Sequence, residues 1–97
     1  MTTTRYASPA DVAAADDEGR IVLLHLPSAR RLVLSDTASR IWEGLADGRD
    51  PDELTTSLAA TYGTDQDVVR RDVDRLVADL LDRGLLEQRP PADAEPR

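Results

Sequence analysis

The sequence predicts an α+β domain in which a small antiparallel sheet precedes three helices. Three observations favour this fold class. Short apolar segments separated by turn residues come first, two amphipathic segments with capping residues follow, and a longer segment of helical periodicity ends at a glycine. Because the chain has only 97 residues, all of these elements must share one modest core.

Three strands are predicted before the first helix. Val12–Ala15 is a weak first strand, and the turn Asp16–Gly19 separates it from Ile21–Leu26. The second strand is apolar on both faces, which is typical of a central strand. After a turn at 27–30, Arg31–Leu34 forms the third strand. In a simple three-stranded meander, this third strand lies at an edge of the sheet.

Helices are predicted for residues 36–46, 51–62 and 64–83, and a glycine follows each of them closely. Asp50 and Pro51 give the second helix a clear N-cap and first position. The third helix carries its apolar stripe at Val69, Val73, Leu76, Val77 and Leu80. A helix, turn, helix, turn, long helix order beside a small sheet predicts a winged helix-turn-helix-like arrangement.

The domain boundaries follow from composition. Residues 1–10 have no apolar periodicity, so we expect a flexible N-terminus there. Residues 11–87 contain all of the predicted elements and form the domain. Residues 88–97 contain three prolines among charged side chains, a composition typical of a disordered tail.

Composition argues against several function classes. The chain has no cysteine, which rules out disulfides and thiolate metal sites. Its single histidine, His25, has no catalytic or metal-binding partner at a suitable spacing, so we expect no catalytic residue, metal or cofactor. The net charge of −7 opposes nucleic-acid binding. Ile21–Leu24 is the longest apolar run and is too short for a membrane helix, so we expect a soluble, cytoplasmic protein.

Residues 12–87 resemble the PqqD-like family, the peptide-recognition domains of ribosomally synthesised and post-translationally modified peptides (RiPPs). Four pieces in a fixed order carry the resemblance. They are Val22–Leu26 followed by Arg31–Ser35; Ala38–Leu45 with Asp47-Gly48; Pro51–Leu54 leading to Leu58 and Tyr62; and Val69–Val73 with Leu76, Leu80 and Gly84-Leu85-Leu86. Many relatives have an aromatic residue in the third strand and Leu-Asn after it, where this chain has Leu32 and Leu34-Ser35.

The resemblance implies a function. Proteins of this family bind the N-terminal leader of a precursor peptide, and small acidic members resemble the stand-alone leader-binding proteins of lasso-peptide biosynthesis. The expected partners are a precursor peptide whose leader contains Tyr-x-x-Pro, a separate leader peptidase and a separate lasso cyclase. The protein itself would be non-catalytic.

The expected mechanism is strand addition, in which the leader pairs with the third strand beside the third helix. The candidate leader-binding residues are Arg31, Leu32, Val33 and Leu34 on the strand, and Arg70, Val73, Asp74, Val77 and Leu81 on the helix. An alternative role in the core stays open for Leu32, Leu34 and Val73, which share apolar faces with other core candidates.

Two other functions are compatible with the sequence. The winged-helix shape and the arginines at positions 70, 71 and 75 would suit a DNA-binding protein, although six aspartates lie on or beside the same helix. Within the resembling family, a chaperone of pyrroloquinoline quinone biosynthesis is the nearest alternative. An enzyme is the weakest hypothesis, because no Gly-rich phosphate loop or metal-ligand cluster is present.

Overall fold

The computed structural model describes residues 4–89. In chain order, the elements are β1 (Arg5–Ala7), β2 (Val12–Asp17), β3 (Arg20–His25), β4 (Arg30–Val33), α1 (Asp36–Ala46), α2 (Pro51–Tyr62), α3 (Gln66–Asp82) and β5 (Glu87–Arg89). Strands β2, β3 and β4 form an antiparallel sheet in that order, and the three helices follow it. The predicted α+β class with an N-terminal three-stranded meander is therefore confirmed.

The sheet has one covered and one open face. Strand β3 lies at its centre, and Leu23 pairs with Leu32 of β4 on the face that points towards the helices. Leu23 is completely buried there. Cross-strand pairs share a face, so the pair formed by Val22 and Val33 points the other way. Val33 is 55% exposed on this outer face.

One core fills the space between the inner face of the sheet and the helices. Its largest fully buried apolar side chains are Leu23, Ile41, Leu45, Leu54, Leu80 and Val73. Each of the three helices contributes to this set, so the sheet and all three helices are held by the same cluster. None of the helices within residues 4–89 combines the length and apolar character needed to cross a bilayer.

Local capping sets the start of each helix. The Ser35 hydroxyl accepts a hydrogen bond from the Ala38 amide at the start of α1, and Asp50 caps α2 ahead of Pro51. Asp65 caps α3 through the Asp67 amide at 2.8 Å, so α3 begins at Gln66. The predicted start at Thr64 is therefore early, because the aspartate that follows it is the residue that caps the helix.

Strands β1 and β5 correct the expectation for both chain ends. Tyr6 pairs with Gln88 in a two-stranded antiparallel sheet, within segments expected to be a flexible N-terminus and a disordered tail. Leu85 and Leu86 are buried directly before β5 and bring it to this position. These strands have three residues each and lie at opposite ends of the described chain, so no local sequence pattern predicts their pairing. Residues 1–3 and 90–97 of the two expected flexible segments lie outside the described part of the chain.

The hydroxyl of Ser39 joins α1 to the ladder between β3 and β4. Leu34 donates its amide to the Ile21 carbonyl at 2.9 Å, as in a regular antiparallel ladder. The return bond is interrupted: the Ile21 amide donates to Ser39 Oγ at 2.8 Å, and Ser39 Oγ donates to the Leu34 carbonyl at 3.4 Å. Ser39 is completely buried, so this hydroxyl satisfies backbone groups that no water reaches.

Replacing Ser39 with alanine should therefore destabilise the protein by about 1–3 kcal/mol, because the Ile21 amide is left buried without an acceptor. Urea unfolding followed by the fluorescence of Trp42, the single tryptophan, measures this loss. Thr56→Ala is the control, since the exposed Thr56 hydroxyl bonds only to its own helix, and its effect should stay within about 0.5 kcal/mol. Equal effects of the two substitutions would contradict this role of Ser39.

Gly44 of α1 marks a close approach of α2. A Cβ atom at Gly44 would lie 2.5 Å from Cδ1 of Leu54, which is 1% exposed and packed in the core. Gly44→Ala should lower stability by up to about 2 kcal/mol, since an overpacking cost of about 1–3 kcal/mol exceeds the helix-propensity gain of about 1 kcal/mol. In a Leu54→Ala background the same change should instead stabilise. Urea unfolding of the four proteins forms the cycle that tests this coupling.

Candidate functional site

Strand β4 has a free edge in the part of the chain that the structure describes. It pairs with β3 on one side only. Hydrogen-bonding directions alternate along a strand, and the Leu34 amide points to β3. The amide and carbonyl groups of Arg31 and Val33 therefore point away from β3, towards the open edge. These two residues offer a backbone hydrogen-bonding row to another extended chain.

A groove runs between this edge and α3, and we refer to it as the edge groove. Its first part is an apolar pocket of about 460 Å³ beside the end of β4. Ala38 and Ile41 of α1 and Leu76 of α3 provide its apolar wall. Its remaining lining residues are polar or charged: Ser35, Thr37, Asp72, Arg75 and Asp79. An apolar floor with a polar rim suits an aromatic or aliphatic side chain that ends in a polar group.

The second part of the edge groove is a polar pocket of about 500 Å³. It lies where β4 begins and α3 ends, and it shares Asp79 with the apolar pocket. Its lining residues are His25, Ser28, Arg30, Arg31, Leu32, Asp79, Asp82, Arg83 and Leu85. The His25 ring is oriented by a hydrogen bond of 2.7 Å between its Nδ1 and the Ser28 hydroxyl.

The order of the two pockets shows that β4 and α3, the two walls of the edge groove, run in opposite directions. Arg30, at the start of β4, lies by the C-terminal end of α3, and Ser35, just after β4, lies by Asp72 further up the helix. The helical wall from Asp72 to Arg83 is about 16 Å long at 1.5 Å per residue. This length corresponds to about five residues of an extended chain.

The strand residues predicted for the site are divided among three environments. Leu34 is 4% exposed and belongs to the core. Arg31 and Leu32 line the polar pocket, and Leu32 also packs against the core. Val33 is exposed on the outer face of the sheet and contributes its backbone to the free edge. The predicted edge strand thus lies at the groove, although only part of it points into the groove.

The five helix residues predicted for the site do not line the edge groove. Val73 is 2% exposed and is a core residue. The other four follow each other at helical spacing and lie on the flank of α3 that faces away from the groove. They are Arg70, Asp74, Val77 and Leu81. Arg70 shows where this flank points, since its guanidinium binds the Asp52 carboxylate of α2 at 2.8 Å. That hydrogen bond, with the charge of Asp52, raises the pKa of Arg70 above its ordinary value.

The groove residues of α3 that the sequence reasoning missed form the more polar flank. They are Asp72, Arg75, Leu76, Asp79, Asp82 and Arg83. Val77 and Leu81, the apolar candidates on the other flank, pack against the core of the same molecule. The sequence pattern that indicates an open flank is the single apolar residue Leu76 among charged residues, because charged side chains are rarely buried.

The arginines of α3 do not form a continuous basic surface. Arg70 is paired with Asp52 on the side of α2, whereas Arg75 lies in the groove with Asp72 and Asp79. Phosphate binding needs several unopposed cations along one surface. The arrangement therefore offers no support for the DNA-binding alternative. Among residues 4–89, no group of three or more His, Asp or Glu side chains is arranged to hold a metal ion.

Comparison with known proteins adds two findings. The model of one protein family, described as "Coenzyme PQQ synthesis protein D (PqqD)", matches residues 20–86, which is more than half of the chain. This segment includes β3, β4 and all three helices, and hence both walls of the edge groove. A search of curated proteins gave no significant match.

Two solved structures share the fold. "TbiB1 in Complex with the TbiA(beta) Leader Peptide" is 32% identical, with a TM-score of 0.78, and the match covers 84% of this chain and 94% of that one. "Lasso peptide synthetase B1 complexed with the leader peptide" is 26% identical, with a TM-score of 0.80, and the match covers 86% of this chain and 98% of that one. Both proteins were solved with a leader peptide bound.

Proposed function

The chain belongs to the PqqD family, and from this premise we propose that it binds the leader of a ribosomally synthesised precursor peptide in lasso-peptide biosynthesis. The observation that carries the proposal is the free edge of β4 beside a groove long enough for about five residues of an extended chain. The two similar structures, both complexes with leader peptides, support the same function.

Strand addition supplies the part of the binding free energy that comes from backbone hydrogen bonds and is largely independent of the leader sequence. The leader pairs antiparallel with β4, accepts hydrogen bonds from the amides of Arg31 and Val33, and donates to their carbonyls wherever the facing leader residue has an N–H. Each such bond contributes about 0.5–1.5 kcal/mol net. Because β4 runs opposite to α3 along the groove, the leader runs parallel to α3. Its N-terminal part lies at the apolar pocket and its C-terminal part at the polar pocket.

Side chains in the pockets supply the sequence selectivity. In a Tyr-x-x-Pro leader, the tyrosine ring enters the apolar pocket between Ala38 and Leu76, and its hydroxyl reaches the rim formed by Asp72 and Arg75. The binding residues in this proposal are Arg31 and Val33 by their backbone, and Leu32, Ala38, Leu76 and Arg75 by their side chains. Arg70, Asp74, Val77 and Leu81, expected from the sequence, are replaced by the groove flank of α3.

The bound leader is then presented to a separate leader peptidase and a separate lasso cyclase, and this protein contributes no catalytic residue. The outer face of the sheet supports such a docking role. Leu26 and Val33 are 54% and 55% exposed on it, and an added leader strand would extend this apolar face. Action in the cytoplasm, where precursor peptides are synthesised, is part of the same proposal.

The family name itself favours a second candidate, a carrier of the precursor peptide in coenzyme PQQ synthesis. Fluorescence polarisation with a labelled Tyr-x-x-Pro leader separates the two functions. We expect saturable binding that is lost when the tyrosine or the proline is replaced by alanine. Binding only to a PQQ precursor peptide would favour the second candidate, and binding to neither peptide would contradict leader recognition.

The strand-addition step is tested by Val33→Pro. Proline removes the outward amide of Val33 and places its ring at the free edge, while the ladder to β3 keeps its bonds at Leu32 and Leu34. We expect a folded protein whose leader affinity falls at least about tenfold, equivalent to about 1.4 kcal/mol. Val33→Ala keeps the amide and is the matched control, with affinity within about threefold of the original. Undiminished binding by a folded Val33→Pro protein would refute strand addition at β4.

The assignment of the α3 flank is tested by a pair of adjacent substitutions. Leu76 and Val77 are both half-buried apolar residues of α3, but only Leu76 lines the groove. Leu76→Gln should weaken leader binding about tenfold or more, because it puts a polar group in the apolar wall. Val77→Gln should leave the affinity of the folded protein nearly unchanged. The reverse ranking, measured by the same polarisation titration, would restore the flank expected from the sequence.

A further inference from the structure

The polar pocket concentrates positive charge in an otherwise acidic protein. The chain carries a net charge of −7, yet three arginines line this pocket beside only two aspartates. Asp79 and Arg83 neutralise each other through an ion pair of 3.0 Å. Arg30 and Arg31 form no ion pair with any residue among 4–89. Of these two, Arg30 lies on the inner face of the sheet and is the unpaired cation of the pocket, which also contains the carboxylate of Asp82.

The register shows which arginine a bound strand would meet. Arg30 pairs with His25, and this pair lies on the same face as the pair of Leu23 and Leu32, which points to the helical layer. Arg31 pairs with Leu24 on the outer face. The inward-pointing residue of a strand added opposite Arg30 therefore lies beside the Arg30 guanidinium, within the polar pocket. The imidazole of His25, which is hydrogen-bonded to Ser28, is a second polar group on the same face.

We propose that the polar pocket is an anion subsite that selects an acidic side chain in the leader, a refinement that rests on the proposed strand addition. The position of this side chain follows from the antiparallel pairing. A leader residue opposite Leu34 sends its side chain towards the apolar pocket, and the residue opposite Arg30 comes four positions later in the leader. Both point inward, because side chains of a strand alternate with a period of two. The selected glutamate or aspartate is thus the fourth residue after the apolar anchor.

The charge of Arg30 explains why an acidic leader residue would be favoured at this position and a basic one disfavoured. A leader without an acidic residue at this position leaves Arg30 without a partner when the added strand covers it. A basic residue there would place like charges opposite each other across the two strands, which is unfavourable. Exposed ion pairs are weak, so the subsite adjusts leader affinity by several-fold and does not create it.

The first test uses synthetic Tyr-x-x-Pro peptides that differ only at the fourth residue after the tyrosine. Polarisation titrations at low salt should rank glutamate above glutamine above lysine, with about three- to tenfold between the extremes. A glutamate moved to the fifth position has the same net charge but points outward, and it should bind like the glutamine peptide. The preference should shrink at high salt, since the groups are partly exposed.

The second test reverses the charge on the protein. Arg30→Glu should invert the ranking, so that the lysine peptide binds best. Arg71→Glu is the matched control: Arg71 is exposed on α3 and lines neither pocket, so this protein should keep the original ranking. Inversion in Arg30→Glu alone establishes the subsite.

The outcomes separate this inference from the proposed function. If all peptides bind with affinities within about twofold of each other, the anion subsite is wrong while leader binding stands. If both arginine variants shift the ranking equally, the effect comes from net charge and the subsite is also wrong. If no peptide binds, the proposed function fails and the subsite fails with it.

Discussion

The buried hydroxyl of Ser39 is the contact on which the geometry of the groove depends. It stands between the Ile21 amide and the Leu34 carbonyl, so one side chain of α1 completes the ladder between β3 and β4. The helical layer and the edge strand are thereby joined at the end of β4 that borders the apolar pocket. Without the Ser39 hydroxyl, the Ile21 amide would be buried without its acceptor.

The two walls of the edge groove, the edge of β4 and the open flank of α3, offer different kinds of contact to a peptide. In the proposed binding mode, the edge of β4 supplies backbone groups, which any extended peptide can use, and α3 supplies the side chains that discriminate between leader sequences. The edge is short and carries two arginines, features that discourage pairing between copies of the free protein. In the proposed subsite, Arg30 is the one of the two that meets a compensating charge on the added strand.

Each flank of α3 has its own task because α2 covers one of them. Arg70 reaches Asp52 across the contact between α2 and α3, and Val77 and Leu81 pack against the core. The other flank stays open and lines both pockets. Its aspartates and arginines surround Leu76, and charged groups of this kind favour contact with solvent. In the proposed binding mode, recognition and stability therefore use opposite sides of α3.

The amino-acid sequence was sufficient to predict the order of strands and helices, most helix boundaries and the edge position of β4. These features depend on local patterns: alternation in Ile21–Leu26, the cap at Asp50 with Pro51, and a helical stripe through Val69, Val73 and Leu80. The tertiary structure alone decided which flank of α3 faces the groove, because both flanks adjoin the same stripe and only the packing of α2 distinguishes them. It also decided the pairing of Tyr6 with Gln88 and the insertion of Ser39 into the ladder. Those contacts join residues far apart in the chain, and a periodicity read along the chain carries no information about them.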